Sequence, residues 1–152
     1  MIRDDIKAAL VSAMKGGDKA ATATIRLIQS ALKNRDIELR TGSAAPADDD
    51  VLVTEVLQKM VKQRRESVAL YEQGGRQELA DAETAEIAVI EGFLPRQMSE
   101  DEARAAIDAI VSQTGASSLK DMGRVMAALK ERHAGSMDMA KASGLVKARL
   151  SA

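Results

Sequence analysis

Cysteine is absent from this 152-residue chain, which excludes disulfides, zinc–thiolate sites and thiol nucleophiles. That composition is compatible with a reducing compartment. Tryptophan is also absent, and Tyr71 and Phe93 are the only aromatic rings, so base stacking on exposed aromatic platforms is not expected. No apolar run approaches the roughly 20 residues that a bilayer span needs. The stretch from Met1 to Met14 carries acids and no continuous apolar core, unlike a signal peptide. The expectation is a soluble, cytoplasmic protein without a membrane partner. A charge excess of either sign is lacking too, with a formal net charge of −1. Residues 1–98 hold 14 basic and 16 acidic side chains, and residues 99–152 hold 8 and 7. A counterion-driven grip on nucleic acid is therefore not visible in the totals and would have to come from local clustering.

What the chain does have is alanine, leucine, isoleucine, valine and methionine at helical spacing, which favours helix over sheet. Ile2, Ile6, Leu10 and Ala13 form the apolar row of a first helix, closed by Gly16-Gly17. Asp18 caps a second, running to about Arg40 with Ile25, Ile28, Leu32 and Leu39 inward. Thr41 to Asp50, with Pro46, reads as the most loop-like and most mobile stretch. Asp48 to Asp50 read as a solvated capping run that opens a third helix, which Gly74-Gly75 ends. A fourth, from Arg76 to about Glu91, turns Leu79, Ile87 and Ile90 inward and makes an αα-hairpin with the third.

The boundary is expected at Gly92 to Met98, dividing an N-terminal helical domain, 1–98, from a three-helix domain, 99–152. Ser99 and Glu102 form a capping box before a helix bearing Ala103, Ile107, Ile110 and Val111. Ser118 and Asp121 repeat it before Leu119, Met122, Met126 and Leu129, and a last helix carries Met139, Ala142, Val146 and Leu150. The fold class is all-α.

One charge stands out. Val53, Leu57, Met60, Val61, Val68 and Tyr71 make an apolar stripe on the third helix, and Arg64 falls inside it. A guanidinium there must meet a carboxylate, a carbonyl dipole or a bound anion, since burying it unpaired costs roughly several kcal/mol. Reflection across Gly74-Gly75 brings Arg64 and Arg65 to the level of Glu83 and Glu86, so the seam is either a pair of interhelical salt bridges or a place that holds an anion or RNA phosphate.

Other motifs are sparse. There is no P-loop, and Gly16-Gly17-Asp18-Lys19 is too short for one. His133 is the only histidine, without a second at ligand spacing, and no Gly-x-Ser-x-Gly elbow accompanies it. No catalytic residue, metal ligand or cofactor is assigned. Two basic surfaces are candidates for RNA or a partner. In the second helix Arg26, Lys33 and Arg40 recur every seven residues, flanked by Ser30 and Asn34. The last two helices carry Lys120, Arg124, Lys130, Arg132, Lys141, Lys147 and Arg149 against Asp121, Glu131 and Asp138. Of the two, the C-terminal surface has the larger local excess, suited to recognition by electrostatics and shape rather than base readout.

Several separated motifs occur in one order: Arg26-Leu27-Ile28-Gln29-Ser30-Ala31-Leu32-Lys33-Asn34, Lys62-Gln63-Arg64-Arg65-Glu66-Ser67 with Tyr71 and Gly75-Arg76, Glu83 with Glu86-Ile87, Leu94-Pro95, and Asp121-Met122-Gly123-Arg124-Val125-Met126. Together they resemble the stand-alone YqeY proteins of the GatB/YqeY family, nearly end to end. That family is similar to the C-terminal and tail region of the GatB component of the glutamine-dependent aspartyl/glutamyl-tRNA amidotransferase, whose tail helps to hold tRNA. The resemblance implies an all-α fold in two parts and a link to tRNA or to an amidotransferase-like complex. A family-level label of carbon–nitrogen ligase with glutamine as amido-nitrogen donor follows by association, although the catalytic units of the amidotransferase do not fit within this chain. Ser30 and Asn34, with Arg64 and Arg65, match family motif positions, which the resemblance makes site candidates. Three expectations follow in order: a non-catalytic tRNA- or complex-binding module, a protein-interaction module without RNA affinity, and an amide-transfer enzyme.

Overall fold

The computed structural model describes residues 1–42, 48–133 and 135–151, and among them every regular element is helical. The chain divides into two compact units, Met1–Leu94 and Pro95–Ala152.

The first unit holds α1 (Ile2–Lys15), α2 (Lys19–Arg40), α3 (Asp49–Gln73) and α4 (Gln77–Glu91). Its core follows the helical rows: Ile6 of α1, Ile25, Ile28 and Leu32 of α2, Leu52, Val53, Leu57, Met60 and Val61 of α3, and Ile90 of α4. Burial of such aliphatic side chains is worth about 1.5–3 kcal/mol each and sets which face of each helix turns inward. Asp18 accepts from the Ala21 amide at 3.0 Å and caps α2, after Gly17 has turned the chain at φ 68°. The α3–α4 turn closes with Gly75 at φ 70°, where any other residue would be strained. Ala80 is buried on α4, where the row was expected to rest on Leu79. Residues 43–47, including Pro46, lie outside the described residues, and with them half of the expected loop.

The second unit holds α5 (Glu100–Thr114), a 3-10 turn (Leu119–Asp121), α6 (Met122–His133) and α7 (Met139–Ser151). Ala103, Ile107, Ile110 and Val111 of α5 pack with Val125, Leu129, Met137, Ala142, Val146 and Leu150. The expected inward row of α6 needs correction: Leu119 is 49 % exposed and sits in the 3-10 turn, while Val125 is fully buried. The tighter winding of the 3-10 turn rotates Leu119 out of phase with the α-helix that follows.

Candidate functional site

Helix α2 presents two unlike faces. Its inward face carries Ile25, Ile28 and Leu32, and its opposite face carries Lys19, Arg26, Lys33 and Arg40, all exposed. Residues seven apart drift by only about 20° around a helix, so these four cations form one column, with successive members about 10.5 Å apart along the axis. Ser30 and Asn34 lie beside it, exposed. Ile37 falls within the column and Leu27 at its edge near Asn34, each 46 % exposed.

Among the described residues no carboxylate is paired with the column. The two acids of α2 are Asp36 and Glu38, and both are held elsewhere: Asp36 by Arg3 at 3.1 Å, Glu38 by Arg35 at 3.3 Å. None of the four cations makes an ion pair among the described residues. Lys19 was missed in the sequence because it opens the helix, although extending the seven-residue spacing backwards from Arg26 reaches it.

Beside the column lies an open groove between α1 and α2 of about 190 Å³, lined by Arg3, Ile6, Lys7, Gln29, Leu32, Lys33 and Asp36. Its wall is pinned by an ion-pair network that ties the start of α1 to the end of α2 and the start of α3. The Arg3 guanidinium donates to both oxygens of Asp49 at 3.0 Å and to Asp36 at 3.1 and 3.3 Å. Asp50 accepts from the Ile2 amide at 3.0 Å, and Asp48 caps α3 by accepting from the Asp50 amide at 2.8 Å. The run expected to be solvated is therefore partly engaged in tertiary contacts. Hydrogen bonding to Asp49 and then Asp36 raises the Arg3 pKa. The same bond from Arg3 holds the Asp49 carboxyl below the usual carboxylate value against a smaller opposing effect of burial. Sequence reading missed Arg3 and Asp36 because Asp36 and Asp49 lie 33 and 46 residues from Arg3.

On the hairpin, Arg64 is only 15 % exposed and donates from Nε to Glu86 at 2.9 Å and from Nη1 to the Met60 carbonyl at 3.3 Å. Its charge thus meets both a carboxylate and a carbonyl dipole. Arg65 pairs with Glu91 at 2.6 Å, and Glu83 makes no ion pair among the described residues.

The C-terminal basic residues are distributed differently. Arg124 pairs with Asp121 at 3.0 Å and Arg149 with Asp108 at 2.8 Å, while Arg132 donates to the Gln113 side chain. Asp121 also accepts the amides of Ser117 and Ser118, which lowers its pKa, with Arg124 assisting. Lys120, Lys141 and Lys147 are exposed, but Lys141 and Lys147 lie six residues apart on α7 and so diverge by about 120° around it. Helix α7 does not gather them into one face.

The arrangement defines a class: an all-α chain in two helical units, the first of which exposes a cationic helix face beside a groove. Comparison with known proteins then assigns it. The chain belongs to the YqeY-like protein family, which it matches over residues 3–150. Among relatives, it is 29 % identical over 94 residues to an uncharacterised protein of Schizosaccharomyces pombe, covering 62 % of this chain and 72 % of that one. It is 28 % identical over 88 residues to the altered inheritance of mitochondria protein 41, mitochondrial, of Kluyveromyces lactis, covering 58 % of this chain and 45 % of that protein. The matched segment thus spans less than half of the Kluyveromyces protein. No helix among the described residues is long and apolar enough to cross a membrane.

Proposed function

We propose that this YqeY-like protein is a non-catalytic accessory module that binds RNA, tRNA first among candidates, through the exposed face of α2. The observation that carries this reading is the column Lys19, Arg26, Lys33 and Arg40, unopposed because both acids of the helix are engaged elsewhere. A phosphate backbone laid on it would release counterions without first breaking protein ion pairs. The C-terminal surface ranks below it, since Arg124 and Arg149 already have carboxylate partners.

The test is titration of the purified protein with total tRNA over a series of salt concentrations. Reversal of Arg26, Lys33 and Arg40 to Glu should leave the far-UV spectrum unchanged, because all three are exposed, and should lower the log K against log salt slope by about 2–3. Reversal of Lys141 and Lys147 should leave the slope as it is. The opposite pattern would move the site to α7. A second reading, a protein-docking face, is favoured by the half-exposed Ile37 within the column and Leu27 at its edge. It requires a partner helix with acidic and apolar residues, bound with weak salt dependence and no tRNA affinity.

A further inference from the structure

The groove between α1 and α2 contains more donors than the protein uses. Asp36 on its wall is engaged by Arg3, which is in turn engaged by Asp49. Lys7 of α1 and Lys33 of α2 line the same groove, and neither makes an ion pair among the described residues. Asp4, one turn before Lys7, does not pair with it. Gln29 is half-buried in the groove, and its side-chain amide makes no hydrogen bond among the described residues. Ile6 and Leu32, 1 % and 3 % exposed, form an apolar floor. Lys7, Lys33 and Gln29 thus line one cavity together with Arg3, and Asp36 is the one carboxylate among its lining residues.

We infer that this groove is a phosphate subsite, in which Lys7, Lys33 and Gln29 take one phosphoryl group of an RNA strand laid along α2. The inference rests on the RNA reading above and extends it to a second helix. Lys33 belongs to both the column and the groove, so a strand following the column passes the groove mouth. Arg3 acts as a positioning residue, because its fork to Asp36 and Asp49 fixes the groove wall and keeps Asp36 from pairing with either lysine. The phosphoryl group could be an internal phosphodiester or a terminal phosphomonoester, and both present the oxygens this donor set requires.

The experiment is fluorescence anisotropy of the full chain with one labelled single-stranded RNA, carrying either a 5′-hydroxyl or a 5′-phosphate, at several salt concentrations. Lys7→Ala should reduce the salt slope by about 0.7, the contribution of one phosphate on a single strand. Gln29→Ala should weaken binding with no change in slope, since it removes a neutral donor. Lys15→Ala, on the same helix but outside the groove, controls for general loss of charge. Equal affinity for the two RNAs assigns the subsite to a phosphodiester. A 5′-phosphate preference that a nucleoside 5′-monophosphate competes away assigns it to a terminal phosphate, and either assignment holds only where Lys7→Ala lowers the slope and Lys15→Ala does not. If Lys7→Ala and Lys15→Ala behave alike while the α2 reversals abolish binding, the subsite is overturned and the α2 reading stands. If the α2 reversals also have no effect, both fall.

Discussion

Arg64 shows how much a single residue discloses by its position in a helical row. A guanidinium in an apolar stripe requires a counter-group, and the hairpin turn points Arg64 and Arg65 to Glu83 and Glu86; the observed partners of Arg64 are Glu86 and the Met60 carbonyl, while Arg65 reaches Glu91 instead. Glu86 is 32 % exposed and can be rehydrated, so Arg64→Ala should cost about 1–2 kcal/mol rather than the roughly 3–5 kcal/mol of a fully buried pair. Urea unfolding of Arg64→Ala, Glu86→Gln and the double variant measures the coupling, expected at about 1 kcal/mol; zero coupling would free Arg64 for a ligand. Arg3 is the opposite case. Nothing local to residues 1–10 announces Asp36 or Asp49, because the pairing depends on how α1, α2 and α3 meet. Its consequence is a pH effect. The folded state lowers the Asp49 pKa through Arg3, so it binds that proton less readily than the unfolded chain. The stabilisation is complete above the unfolded carboxylate value of about 3.9 and is lost as pH falls through the lower folded value. Wild type should therefore be more stable than Asp49→Asn at neutral pH, with the difference shrinking below about pH 4 in acid titrations followed by circular dichroism.

At the scale of elements, helix ends were largely legible because caps are local chemistry. Asp18 and Ser99 mark their termini in the sequence and in the structure. At α5 the Ser99 hydroxyl accepts the Glu102 amide at 3.2 Å, and Glu102 accepts the Ser99 amide at 3.3 Å. Arg96 donates twice to Glu102 and, with Ser99, lowers its pKa. Ser99→Ala should cost about 1 kcal/mol and speed amide exchange in the first turn of α5, measured by hydrogen exchange. If exchange is unchanged, Arg96 and Glu102 hold that turn without the serine. The sequence misleads where helical phase changes or where a small residue fills a close contact. Leu119 sits in a 3-10 turn, so extrapolating the α6 row through it gives the wrong face, and Ala80 is buried where alanine carries little hydrophobic signal.

For the whole molecule, total charge conceals the feature on which the functional reading rests. A net charge of −1 gives no hint of polyanion binding, yet α2 carries a column of four cations whose neighbouring acids are turned to other partners. Seven-residue spacing made three of those cations visible in the sequence; that they are unopposed required knowing where Asp36 and Glu38 go. The α1–α2 groove was not legible, since Lys7 and Gln29 become neighbours only when the two helices pack. The distribution of aromatic rings has an optical consequence. Tyr71 and Phe93 both belong to the Met1–Leu94 unit, so the Pro95–Ala152 unit contributes no aromatic absorbance in the near ultraviolet and no intrinsic emission. Tyrosine emission follows the hairpin unit alone, whereas backbone ellipticity follows both, and the two signals recorded on one sample separate the units without a label.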